Sequence, residues 1–245
     1  MKKIVTIITV VYNASNSIEN TILSVIEQKK RYKNEGIEYI IIDGKSTDNT
    51  IDIIKKYNQY IDFWISEPDK GIYDAMNKGI DIAKGEYIFF LGADDILLNL
   101  PLNILTEAKE KNISAVIGNV LLSNDKIFNS DFSWKLLYMN TIHHQGLFLK
   151  SKILKLYHFN TKYKVYADHD LNQKLYKKRI TFMKVDVLIS KFSIEGISGQ
   201  KNLIKEIMNI TYHNFGIWGL SIYILVLTKR FLCKICKKIY NKKEI

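Results

Sequence analysis

Lys84-Gly85-Glu86-Tyr87-Ile88-Phe89-Phe90-Leu91-Gly92-Ala93-Asp94-Asp95 is the stretch whose reading decides the fold. Tyr87 to Leu91 are all apolar or aromatic, lie between two glycines, and stop at two adjacent carboxylates. A short apolar run bounded by turn residues predicts a buried central strand. In an open parallel sheet, ligands bind beyond the carboxyl ends of the strands, where Asp94 and Asp95 fall. Neighbouring carboxylates repel unless a cation or a donor neutralises them, and a hard divalent metal with oxygen ligands does so most simply. Successive residues of an extended chain point to opposite sides, so one aspartate grips the ion while the other holds a hydroxyl or the loop. The competing reading is that Asp95 caps a helix, because an apolar segment follows it.

Upstream, three more apolar runs end in polar loops. Ile4 to Val11 predicts a first strand, followed by the loop Tyr12 to Ser17 and a helix towards Gln28 capped by Asn16 or Ser17. That loop holds no Gly-x-Gly-x-x-Gly, which argues against a dinucleotide-binding dehydrogenase. After a charged connection, Lys29 to Glu35, a second strand, Ile37 to Ile42, ends in Asp43-Gly44-Lys45-Ser46-Thr47-Asp48. Asp43 is a carboxylate on the same rim, suited to accept the N3–H of uracil, or else it only shapes the turn. Phe63 to Ser66 is a third strand, and Pro68 and Gly71 turn the chain into a helix with Ile72, Ala75, Met76 and Gly79 facing the sheet. Asp69 and Asp74 bring further acids near the rim. Alternating strands and helices predict an α/β fold with a doubly wound, mostly parallel sheet flanked by helices.

Four pieces now stand in order: Val10-Val11-Tyr12-Asn13, Ile42-Asp43-Gly44-Lys45-Ser46-Thr47-Asp48, Asp69-Lys70-Gly71-Ile72-Tyr73-Asp74-Ala75-Met76-Asn77-Lys78-Gly79 and Gly92-Ala93-Asp94-Asp95. Together they resemble the family 2 glycosyltransferases over about Ile4 to Ser198. The resemblance implies the GT-A fold, a nucleotide-diphosphate sugar donor, a divalent metal (Mn2+ or Mg2+) and inversion at the anomeric carbon. It implies donor binding by Thr9, Tyr12, Asn13, Asp43, Ser46, Asp74, Asn77, Lys78, Asp94 and His144, with Asp43 on uracil and Asp94 and Asp95 as the metal-binding acids. The chain departs from many members in having Gly92 where they carry an acid.

In the second half, Pro101 to Lys111 predicts a helix with Leu102, Leu105 and Ala108 inward. Ala115 to Leu122 predicts a strand turning at Asn124-Asp125 into Ile127 and Phe128. Phe132 and Trp134 are either core or faces for an acceptor sugar. His143 and His144 precede a strand and suit a metal, a departing diphosphate or a structural hydrogen bond, and the resemblance favours His144. Tyr166-Ala167-Asp168-His169-Asp170-Leu171 begins a helix whose dipole stabilises acids in its first turn. The resemblance places the catalytic base at Asp168, where the plain reading is a helix cap. Thr181 to Val185 and Leu188 to Ser193 close the sheet, and Glu195-Gly196-Ile197-Ser198 resembles a family turn near the diphosphate.

The net charge of +11 is uneven, because the residues from Lys229 onward hold seven basic residues and one acid. Beyond Thr228 the apolar Phe231, Leu232, Ile235 and Ile239 share one helical face among lysines, which predicts an amphipathic tail on anionic lipid. Packing within the protein or crossing the membrane are the alternatives, though Ile217 to Leu227 is shorter than the roughly 20 residues a span needs. The two cysteines, Cys233 and Cys236, are too few for structural zinc or a disulfide framework and point to a reducing compartment. Lys2 and Lys3 before an apolar run imitate a signal peptide, but Thr6, Thr9 and the β-branched residues suit a strand better.

The expected organisation is a glycosyltransferase domain over residues 1–199, divided into a nucleotide-sugar half (1–98) and an acceptor half (99–199). A helical basic tail follows over 200–245. The expected partners are the sugar donor, a lipid-linked saccharide acceptor and the inner face of the cell membrane on its cytoplasmic side, without nucleic acid. Rival readings are a nucleotidyltransferase, which ordinarily carries a Gly-rich basic loop that Tyr12 to Ser17 lacks, a nucleic-acid binder, and a catalytically dead donor-binding module.

Overall fold

The computed structural model describes residues 3–193 and 203–241. Among these residues the elements are β1 Val5–Val11, α1 Ile18–Arg31, β2 Ile37–Asp43, α2 Thr50–Lys56, β3 Phe63–Ser66, α3 Ile72–Ile82, β4 Tyr87–Gly92 and β5 Ile96–Leu97. Then come α4 Leu102–Glu110, β6 Ala115–Leu122, β7 Ile127–Phe128, β8 Leu147–Lys150, α5 Ser151–Tyr157, α6 Ala167–Lys177, β9 Phe182–Phe192 and α7 Leu203–Asn241. The strands form one sheet in the order β3-β2-β1-β4-β8-β6-β9-β5, with β7 paired to β6.

β3, β2, β1 and β4 run parallel, as their near-continuous β-branched and aromatic runs require: β1 and β2 are buried along their whole lengths. β8 is antiparallel to both β4 and β6, and β9 runs parallel to β6. Helices pack on both faces, each burying one stripe. In α1 the stripe is Ile18, Ile22, Val25 and Ile26, at helical spacing. Phe89 stacks on Phe148 across β4 and β8, 4.6 Å between ring centres, joining the two halves of the sheet.

Several expectations change. Asp95 caps no helix, because β5 follows it directly. The charged connection begins later than Lys29, since α1 runs to Arg31. Lys29 is buried, donating to the Tyr60 carbonyl (2.8 Å) and pairing with Asp62 (2.6 Å). Ile72 faces solvent, and Tyr73 takes its place against the core. The two expected closing strands are one, β9, whose pairing with β6 shifts register around Asn119. In α7, Gly216 breaks the helical path with φ 64°, whereas Gly219 continues it. The Glu195–Ser198 turn lies outside the described residues, as do the side chains of Cys233, Cys236, Phe231, Leu232, Ile235 and Ile239.

The expected division at residue 199 is crossed by packing. Glu206 of α7 accepts from the backbone amides of Val165 and Tyr166 (3.0 and 2.8 Å). Asn214 donates to Asp170 and Gln173 of α6 (3.0 and 3.1 Å), and the Thr211 hydroxyl donates to the Leu137 carbonyl (3.2 Å). By length and composition, Ile204–Lys229 is apolar enough to cross a membrane. Its first turns are nonetheless tied to α6 by these bonds.

Candidate active site

The carboxyl ends of β2, β1 and β4 form one rim, since Val11 stands opposite Asp43 and Val10 opposite Gly92. Adjacent strands lie about 4.8 Å apart, so Asp43 and the Gly92 turn are on the order of 10 Å from each other across β1. β8 runs against β4, which returns the His144–Gly146 turn, immediately before β8, to the same rim.

The loops after β1 and β2 are laced together. Asn13 sits at φ 49°, a left-handed conformation that asparagine tolerates. Its amide donates to the Ser46 hydroxyl (2.8 Å), and its side-chain oxygen accepts from the Thr47 amide (2.8 Å). The Ala14 amide donates to Thr50 Oγ1 (2.9 Å). Tyr12 is exposed beside them, and Asp69 stands so close to Gly44 that any side chain there would collide with it.

Asp43 is wholly buried. Oδ1 accepts from the Ser46 hydroxyl, and Oδ2 from the Ser46 amide and the Ser66 hydroxyl (2.5, 3.0 and 2.5 Å). Oδ1 keeps a lone pair, but the group is buried, so a base N–H reaches it only when a covering side chain moves aside. Four other expected donor contacts bond within the scaffold. Thr9 lies fully buried inside β1, accepting from the Tyr39 hydroxyl (3.3 Å), so it is not on the rim. Asn77 spends its side-chain amide on the backbone of Phe159, donating to the carbonyl and accepting from the N–H (2.9 and 2.8 Å). Lys78 binds Glu67 and the Pro68 carbonyl (both 2.8 Å), and Asp74 accepts from the Lys70 amide (3.0 Å), so these two shape the 67–70 loop.

The paired aspartates divide their tasks. Asp94 is exposed, while Asp95 is 1% exposed. Asp95 Oδ2 accepts from the Gly92 amide (2.9 Å) and Gln145 Nε2 (3.1 Å), and Oδ1 from the Ser193 amide (3.2 Å). Burial, and then the neighbouring charge of Asp94, raises its pKa. Asp95 is therefore a clasp between the ends of β4 and β9, which leaves Asp94 as the more accessible of the two expected metal ligands. Among the described residues no group of three or more His, Cys, Asp or Glu side chains is placed to hold a metal. One exposed carboxylate on an acidic rim fits a cation that takes most of its shell from phosphate oxygens and water, the usual habit of Mg2+.

Gln145 links this clasp to the last acid. Its neighbour His144 places Nδ1 3.7 Å from Asp168 Oδ2, so one short turn touches Asp95 through Gln145 and Asp168 through His144. Asp168 lies in the first turn of α6 with Tyr166 at the cap position, and so it is not the cap. Its Oδ1 accepts from the His169 amide (2.8 Å) and the Tyr73 hydroxyl (3.3 Å), and its Oδ2 from Asn140 Nδ2 (2.9 Å). Burial would raise its pKa, but His144 and the His169 amide outweigh burial and hold it below the usual carboxylate range. The carboxylate is thus ionised at neutral pH and able to accept a proton. His169 is buried, and burial pushes its pKa down to about 4, so it is neutral there.

The other histidine is structural: His143 packs between the rings of Phe128 and Phe192 (4.4 and 5.3 Å), and burial lowers its pKa. Phe132 packs on Tyr176 and Phe182, whereas Trp134 is exposed and tilted on Tyr138. Sequence reasoning missed Tyr73, Asn140, Gln145 and Glu206 as supports of the cleft. Tyr73 stood inside a quoted motif, and Asn140 carried no local signal.

The family model Glycosyl transferase family 2 matches residues 6–181. A PGL/p-HBAD biosynthesis glycosyltransferase of Mycobacterium bovis is 34% identical over 151 residues, covering 55% of this chain and 56% of the relative. The poly(ribitol-phosphate) beta-N-acetylglucosaminyltransferase TarP of Staphylococcus aureus is 36% identical over 122 residues, 48% of this chain and 36% of the relative. Thus the chain matches about half, or less, of the length of these curated relatives. Among solved structures, S. aureus TarS residues 1–349 in complex with UDP-GlcNAc superposes with a TM-score of 0.72 at 16% identity, covering 90% of this chain and 71% of that one. The mannosyltransferase PcManGT from Pyrobaculum calidifontis, in complex with GDP-Man and Mn2+, gives 0.62 at 17% identity, covering 94% and 75%. These two structural likenesses speak to the fold.

Proposed function

The chain belongs to glycosyl transferase family 2, and from that premise we propose that it moves a sugar, with inversion, from a UDP-sugar to a hydroxyl of a saccharide acceptor during cell-surface glycan assembly. The observation that carries the reading is the ionised Asp168, held by the His169 amide, Tyr73 and Asn140 beside His144, whose neighbour Gln145 binds Asp95. The donor lies along the β1, β2 and β4 rim, with Tyr12, Asn13 and Ser46 beside the nucleoside. Asp43 accepts from the base once Ser66 or Ser46 turns aside. Asp94 would hold a divalent cation, which when bound supplies charge stabilisation for the departing diphosphate. Asp168 Oδ2 takes the proton of the acceptor hydroxyl as that oxygen attacks the anomeric carbon from the face opposite the leaving group. His144, beside Asp168, offers a second polar group near the diphosphate. Placement matters as much as basicity, because a sugar hydroxyl loses its proton only while it attacks.

The named relative TarP is a beta-N-acetylglucosaminyltransferase, and TarS, alike in fold, was solved with UDP-GlcNAc, so UDP-GlcNAc is the donor to test first. The acceptor is lipid-linked in this reading, with α7 resting on the inner face of an anionic membrane. Ile217, Trp218 and Leu225 are exposed on α7, and the sequence beyond Lys229 is basic. Sedimentation with phosphatidylglycerol vesicles, but not with phosphatidylcholine vesicles, and weakened by salt, is the expected result. Equal binding to both would remove the electrostatic part.

The reaction is tested by a panel of nucleotide sugars with and without manganese. Metal-stimulated release of UDP from one UDP-sugar is expected. Hydrolysis of none, or nucleotidyl transfer in its place, would overturn the reading.

A further inference from the structure

We propose that Asn140 is the positioning residue for the Asp168 carboxylate and that Asn172 fixes the face it presents. The inference rests on the reading of Asp168 as the base.

The geometry is a relay of three amides. The Ile142 carbonyl accepts from Asn172 Nδ2 (3.3 Å), which fixes the orientation of that side chain. The same Nδ2 donates to Asn140 Oδ1 (3.0 Å), and the Ile142 amide approaches that oxygen as well (3.4 Å). With its oxygen engaged, Asn140 can turn only its NH2 toward Asp168, where Nδ2 donates to Oδ2 at 2.9 Å. Flipping the amide would set oxygen against carboxylate and leave two donors without an acceptor. Asn172 is 2% exposed, so water does not readily replace what it supplies.

The other groups facing Asp168 cannot do this work alone. Tyr73 of α3 directs its hydroxyl mainly to the Val165 carbonyl (2.7 Å) and stands 3.3 Å from Oδ1. His144, which lowers the Asp168 pKa, lies 3.7 Å from Oδ2, beyond good hydrogen-bond length, so it does not fix where that oxygen points. On α6 itself, His169 is uncharged at neutral pH, and Asp170 is paired with Lys174 (2.6 Å). Glu206 of α7 is occupied by the Val165 and Tyr166 amides. Oδ1 is thus held by the His169 amide, with the Tyr73 hydroxyl at its edge, and Oδ2 by Asn140 alone, so Oδ2 keeps a lone pair for the proton. Asn140 aims that oxygen and favours its ionised form without titrating.

The test is a carbon-13 carboxyl NMR titration of the full chain, with the Asp168 resonance identified by its loss in Asp168→Asn. In Asn140→Leu the Asp168 pKa should rise by about one unit, the scale of one hydrogen bond to a charged group. In the isosteric Asn140→Asp it should rise further, because adjacent carboxylates share a proton. Asn172→Leu should move it part of the way. Turnover of the UDP-sugar that the wild type hydrolyses should fall more at about pH 4.5 than at about pH 7 in both Asn140 variants, because the raised pKa then lies near the lower pH, with donor affinity at about pH 7 unchanged. An unmoved Asp168 pKa in Asn140→Leu and Asn140→Asp would overturn the proposal, as would an equal loss at both pH values. Turnover that survives Asp168→Asn would overturn the base assignment instead.

Discussion

Asp94 and Asp95 look equivalent in the sequence, and the fold makes them opposites. Their acidity and their place after a buried strand were legible in the pattern. Which of them is closed off was not, because Gln145 and Ser193, the groups that close Asp95, lie 50 and 98 residues away. The same applies to Thr9 and Asn77, polar residues whose true partners, Tyr39 and Phe159, come from distant segments. Asp94→Ala should leave the melting temperature unchanged and remove the manganese stimulation of UDP release. Asp95→Ala should destabilise the chain by about 2–3 kcal/mol in urea denaturation, since the buried Gln145 amide and two part-buried backbone N–H groups lose their acceptor. Equal stability of the two variants would contradict the division of tasks.

Elements with strong periodicity were legible to within a residue or two: β3, β6 and the buried stripe of α4 all fall where the sequence put them. The misses occur where tertiary contacts extend an element. α1 continues through Lys29 because Asp62, at the start of β3, takes its ammonium group along with the Tyr39 amide (2.9 Å). Burial works against the Asp62 charge, but Lys29, the Tyr39 amide and Lys3 more than offset it, so its pKa is lowered in the fold. The linked stability is therefore present above the unfolded value, about 3.9, and is lost as pH falls through the folded one. Asp62→Ala should cost about 1–3 kcal/mol at pH 7 and progressively less below pH 4, read from urea midpoints across pH. A pH-independent cost would contradict the ion pair. On α3, a Cβ at Gly79 would come within 2.7 Å of Ile8 Cγ2, so Gly79→Ala should destabilise by about 1–3 kcal/mol through displacement of the helix from β1.

At the scale of the whole molecule, the tail that reads as an appendage begins as part of the body. Glu206, Thr211 and Asn214 look like the wet face of an amphipathic helix, and no local pattern reveals that they meet the backbone and side chains around α6. A chain ending before residue 203 should show faster amide exchange along α6 and lower turnover even in detergent solution, where no membrane is needed. Unchanged exchange would show α7 to be an anchor alone. The central claim is that Asp168 removes the acceptor proton while other residues bind the donor. Its most direct measurement is calorimetric UDP-sugar binding beside turnover for Asp168→Asn. The account predicts affinity close to that of the wild type and a turnover loss of about 10²–10⁴-fold, the usual contribution of a general base. Loss of donor binding, or turnover that persists, would contradict it.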